Sequence, residues 1–155
     1  MASFSDHLIC CYLIICEKVL SERDGVLSPI RLVDVFFTKS PADSPPLPPM
    51  VRPAIMMALL FVAKVTTEGI DGKEHRFSLR LIRPDGEVTD VGESAIFMVE
   101  KPKIPGTYSG VNVGIPQIGV LTKQEGLHYF IADIDGKEVA RAPFILTEQQ
   151  LETRQ

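Results

Sequence analysis

Tyr129-Phe130-Ile131-Ala132-Asp133-Ile134-Asp135-Gly136-Lys137-Glu138-Val139-Ala140-Arg141 is the stretch that decides the fold. Two runs of strand-forming residues flank Asp135-Gly136, the dipeptide a type I′ turn prefers because both of its central residues need positive φ. The stretch predicts a β-hairpin. Upstream, Glu74–Arg83 alternates His75, Phe77, Leu79 and Leu81 with Arg76, Ser78 and Arg80, the period of a strand with one buried and one wet face. Arg83-Pro84-Asp85-Gly86 then predicts a turn, since Pro presets the first turn dihedral and Gly tolerates positive φ.

Working outward, Leu8–Leu20 reads as an apolar strand closed by Ser21-Glu22-Arg23-Asp24-Gly25. Ser28–Thr38 carries apolar residues on both faces and predicts a central strand covered on both sides. Residues 41–53 hold six of the twelve prolines and predict an extended crossing loop. Ile55–Thr66 reads as an apolar strand, a short strand follows Gly86, and Ser94–Glu100 is another. Val111–Leu121 contains Gly114, Pro116 and Gly119 and reads as a bulged or edge strand. Thr147-Glu148-Gln149-Gln150 matches a capping box and predicts a short C-terminal helical turn. About eight short strands without a long helical period predict an all-β antiparallel sandwich, Ig- or C2-like. Its single domain spans 1–146, followed by a polar tail, 147–155.

Composition narrows the function classes. At 155 residues, with 45% hydrophobic and 23% charged residues, the chain suits one folded domain with a real core. The net charge of -4, with no dense Lys/Arg cluster, argues against a nucleic-acid partner, whose phosphates must be met by basic side chains. Leu8–Cys16 has no positive flank of the kind that opens an export signal, and Ala54–Val65 is interrupted by Lys64 and too short for a membrane span. Cys10, Cys11 and Cys16 form no even framework and read as free core thiols of a cytoplasmic protein.

The order of segments resembles a family of small bacterial proteins known only as a domain of unknown function. The resemblance rests on Cys16-Glu17, on Asp24–Ser28 leading into Arg31-Leu32-Val33-Asp34, and on Glu74-His75-Arg76-Phe77 running into Arg83–Gly86. It closes with Gly126–Phe130, Asp135-Gly136 and Ala142-Pro143-Phe144. It implies an intracellular β-sandwich and no assigned activity.

No catalytic centre is legible. Nucleophilic catalysis needs Ser, Cys or Thr beside a base, and the chain offers only His7, His75 and His128. Gly106-Thr107-Tyr108-Ser109-Gly110 has the wrong spacing for a nucleophile elbow and reads as loop. Cys16 beside a histidine would make a thiolate pair, against its reading as an inert core thiol. Cysteine and histidine spacing matches no zinc site. The carboxylates of Asp133, Asp135 and Glu138 could serve calcium, but the hairpin turn explains them more simply. Pro45–Pro49 reads as a stiff connector or a docking segment.

The charges Glu17, Arg31 and Asp34, set inside apolar strands, form the candidate polar cluster: a Glu17–Arg31 structural pair, or the lining of a ligand pocket. No cofactor is expected. The leading functional expectation is a non-enzymatic binding or adaptor module that contacts a protein partner or a second copy of itself. The weakly paired edge at Lys101–Gly119 is the expected contact. A small-molecule sensor or sequestering protein is the alternative, and an enzyme with a dispersed site the third reading.

Overall fold

The computed structural model of the chain describes residues 2–37, 55–91, 94–120 and 124–147. Its strands are β1 (Leu8–Ser21), β2 (Leu27–Leu32), β3 (Val35–Phe37), β4 (Ile55–Val65), β5 (Glu74–Ile82), β6 (Val88–Asp90), β7 (Ala95–Met98), β8 (Ser109–Val120), β9 (Gly126–Ile134) and β10 (Lys137–Thr147). Two short 3₁₀ turns, Phe4–His7 and Thr67–Gly69, lie at one end. One sheet runs β2-β1-β4-β8; the other runs β3-β10-β9-β5-β6, with β7 also paired to β5.

The alternation in β5 places His75, Phe77, Leu79 and Leu81 in the interior. They meet Leu13 and Ile15 of β1, Leu59 and Phe61 of β4, and Phe130, Ala132 and Phe144 of the β9–β10 hairpin in one core between the sheets. Asp135 and Gly136 at the hairpin tip adopt φ of 52° and 80°, both positive as a type I′ turn requires. β4 is apolar on both faces because both are covered. Register places Cys16, Ala58 and Leu60 on the outer side of their sheet, yet all three are buried. Leu27 and Val19 fold over that side, so close to β8 that a Cβ added at Gly114 would lie 3.2 Å from Leu27 Cδ1 and 3.4 Å from Val19 Cγ1.

Four expectations change. Ser28–Thr38 is not one central strand: β2 is an edge of the first sheet and β3 an edge of the second. The chain crosses between them at Val33-Asp34, where the Val33 amide still donates to Ile15 of β1 while the Asp34 carbonyl already accepts from Ile145 of β10. Arg31, at a left-handed φ of 54°, turns the strand out of its sheet, and Leu32 is left 70% exposed. Second, the strand count among the described residues is ten against about eight, in part because this segment splits in two; the expected strands after Gly86 and at Ser94–Glu100 both form, sharing one side of β5. Third, β3 pairs with β10 in parallel, while the other strand pairs are antiparallel. Fourth, Thr147, read as the start of a helical turn, is the last residue of β10, opposite Phe37. The rest of the expected helical turn, and the proline-rich loop at 41–53, lie outside the described residues.

Candidate functional site

Of the polar cluster, the fold brings two members together. Arg31 Nη1 lies 3.2 Å from Glu17 Oε2 across the β1–β2 pair, with both side chains mostly in water. An exposed pair of this kind contributes little stability. Asp34 stands apart at the crossing between sheets, where its backbone carbonyl accepts from the Ile145 amide.

The carboxylates around the hairpin separate into different tasks. Asp133, buried on the outer face of the second sheet, takes Arg80 in a two-pronged ion pair, with Nη2 2.7 Å from Oδ1. Glu138 takes Arg141 in the same manner at 2.9 and 3.2 Å. Asp135 turns the other way, toward the end of the sandwich. Among the described residues, no group of three or more His, Cys, Asp or Glu is placed to hold a metal ion.

At that end His75 is buried in a cluster with Phe4 (centroids 4.0 Å apart) and Phe97 (5.7 Å), which also touch each other edge-on. Its Nδ1 lies 2.8 Å from Asp135 Oδ2 and its Nε2 3.2 Å from Asp71 Oδ1. Both ring nitrogens are thus engaged by carboxylate oxygens, and among the described residues neither faces a Ser, Cys or Thr that it could activate as a nucleophile. Burial works to raise the Asp135 pKa, but the Arg76 amide and the His75 ring outweigh it and hold the carboxyl below its ordinary value. The Lys73 amide lowers Asp71, with help from His75 against partial burial. The arrangement is a brace: it ties the N-terminal 3₁₀ turn, the loop before β5, β7 and the hairpin tip to one imidazole.

His128 is buried at the opposite end of β9. Its Nδ1 donates to the Gly126 carbonyl at 3.0 Å, and its ring stacks on Phe144 with centroids 5.0 Å apart. Burial pushes its pKa down, and Nε2 has no partner among the described residues. Neither histidine meets Cys16, whose thiol points at the Ala58 carbonyl 3.6 Å away. Burial raises that thiol's pKa, the reverse of an activated thiolate. Ser109, in the segment compared with a nucleophile elbow, donates to the Glu100 carbonyl and braces the loop.

The remaining feature is an edge. β8 is the outer strand of its sheet and pairs with β4 along one side from Ser109 to Val120; among the described residues no strand pairs with its other side. Its twelve residues, Ser109-Gly-Val-Asn-Val-Gly-Ile-Pro-Gln-Ile-Gly-Val120, include no charge. A register shift sets Pro116 and Gln117 opposite Ala58, so the regular ladder runs from Ser109 to Ile115. At the head of this strand the loop 100–108 folds back to form an open groove of about 420 Å³, lined by Lys101, Lys103, Thr107, Tyr108 and Ser109 among others. Beside it, Lys64 of β4 places Nζ 4.6 Å from the Tyr108 ring centroid and 3.3 Å from its hydroxyl.

Sequence reading located the edge from its glycines and proline. It missed the contact of His75 with Asp135 and the Arg80–Asp133 pair, because each joins residues more than fifty positions apart. The alternation in β5 was the available signal, since it puts a histidine on a buried face where its nitrogens must find partners.

Comparison with known proteins adds kinship. No curated protein matches the sequence. Among solved structures, the Pseudomonas fluorescens alkylpurine DNA glycosylase AlkC, bound to DNA containing an abasic site analog, is similar at 15% identity and a TM-score of 0.32. That match covers 59% of this chain and 26% of the other, so the chain spans about a quarter of that protein's length, and a likeness so slight bears on neither fold nor activity. The model of the Family of unknown function (DUF6941) matches residues 46–147. That match takes in β4 through β10, the whole hairpin and the free edge, and since it exceeds half of the sequence, the chain belongs to this family of unknown function.

Proposed function

We propose that the protein is a non-enzymatic binding module that engages another protein chain by strand addition to β8. The observation that carries this reading is the uncharged edge Ser109–Ile115. Natural sheets usually guard such an edge with lysine, proline or a bulge, because its free N–H and C=O groups template pairing with another strand. Here the guard, Pro116 with its bulge, stands at the far end, and among the described residues no strand covers the free side of the seven before it. The free thiols of Cys10, Cys11 and Cys16 suit work in the reducing cytoplasm.

The test is site-specific photo-crosslinking in producing cells, with a photoreactive residue at Asn112 on β8 and, as controls, at Ile30 on β2 and Arg76 on β5, all three exposed. Adducts at Asn112 and not at the controls are expected. An adduct of twice the chain mass identifies a second copy as partner. Adducts of equal yield at all three positions, or at none, count against the reading. A small molecule retained in native mass spectrometry without any β8 adduct favours a ligand-binding protein instead.

A further inference from the structure

The edge and the groove at its head are continuous: Ser109 opens the ladder with β4 and also lines the groove. The two differ in character. The edge is uncharged over its whole length, whereas the groove brings Lys101 and Lys103 together, with the ammonium of Lys64 on the ring of Tyr108 beside them, against a single lining carboxylate, Glu100. In a chain of net charge -4 this is a local inversion of sign. Opposite charge at the rim of a contact steers encounter and rejects wrong partners more than it adds affinity.

We infer that β8 and its head groove form one site for an extended peptide segment of another protein, uncharged where it pairs with Ser109–Ile115 and carrying Asp or Glu side chains just beyond its C-terminal end. The polarity follows from antiparallel pairing, the commoner arrangement: a segment antiparallel to β8 ends at Ser109, where the lysines wait. A second copy of this chain is the poorer occupant. Its own β8 has no carboxylate to offer, so self-pairing leaves Lys101 and Lys103 unanswered. This inference rests on the strand-addition reading and specifies its partner.

The experiment uses the full chain and three fluorescein-labelled, C-terminally amidated peptides sharing the body Thr-Val-Thr-Val-Thr. They end in Asp-Asp, Asn-Asn or Lys-Lys, and a fourth ends in Asn-Asn with a free carboxyl terminus. Fluorescence anisotropy at about 50 mM salt, where exposed charges are weakly screened, is expected to show the acidic peptide bound about three- to tenfold tighter than the neutral amide, as two exposed ion pairs allow. The basic peptide should be weakest. In a Lys101→Gln, Lys103→Gln variant with unchanged melting temperature, the preference should shrink to about twofold or less. Hydrogen exchange should slow at Ser109–Ile115 when the acidic peptide is bound.

Equal binding of the amidated peptides, with protection at β8, overturns the acidic partner but leaves strand addition standing. The free-terminus peptide matching the acidic one would make the occupant a chain terminus and overturn the inference. Protection elsewhere, no binding by any peptide, or a stable dimer that excludes them removes the peptide site altogether.

Discussion

His128 shows what a single buried side chain does to stability. Its imidazole is buried, with Nδ1 donating to the Gly126 carbonyl and Nε2 without a partner among the described residues. Desolvation depresses its pKa below the unfolded value near 6.5. The unfolded chain therefore takes up a proton that the folded chain refuses, and stability falls as pH drops through about 6.5. This one group can cost on the order of 1 kcal/mol at most near pH 5.5. Thermal melts of the protein and of His128→Phe, which keeps the stack on Phe144, should differ in slope: the variant loses less melting temperature between about pH 7.5 and 5.5. Equal slopes would show that His128 titrates freely. Asp71 and Asp135 act lower on the scale. Their folded pKa values are depressed, so their contribution is present above the ordinary aspartate range and disappears as pH falls through the folded values.

Between elements, the Arg80–Asp133 pair fastens β5 to β9 beside the register pairs Ser78↔Asp133 and Arg80↔Ile131. Asp133 is buried, so removing its partner strands a charge in a poor solvent. Arg80→Ala should cost on the order of 3 kcal/mol by urea unfolding, and adding Asp133→Asn should restore part of it, because the uncompensated charge is then gone. A double variant as unstable as the single one would assign the loss to packing of the arginine stem instead. The hairpin and the β5 alternation were legible because each depends on neighbours in sequence: turn dihedrals in one case, period-two burial in the other. The split of Ser28–Thr38 was not, since apolar residues on both faces describe a doubly covered strand and a strand that changes sheets equally well.

For the whole molecule, the family match begins at residue 46 and so leaves out β1, β2 and β3. β1 nonetheless sits inside the first sheet between β2 and β4, and contributes Leu13 and Ile15 to the core. A fragment comprising residues 46–155 should accordingly lose cooperative unfolding, with β4 left as an edge and the core open on one side. Circular dichroism melts decide this: a sharp transition at the full chain's temperature would mean that β4–β10 is a self-sufficient unit. The candidate surface is a property of this scale too. Lys64, Lys101 and Lys103 form no run in the sequence, and the pairing of Lys64 with Gly110 brings β4 to the head of β8.

Local chemistry in the sequence determined the all-β class, the Asp135-Gly136 hairpin, the buried face of β5 and the weakness of Gly114-Ile115-Pro116 as strand interior. These follow from dihedral preference and from side chains that alternate across a pleat. Tertiary structure alone decided that Val33-Asp34 would carry the chain from one sheet to the other, that Asp135 of the hairpin tip would reach His75, and that Lys64 of β4 would stand beside the groove at the head of an uncharged strand. Each of those depends on contacts between residues distant along the chain, and neither propensity nor periodicity carries information about them.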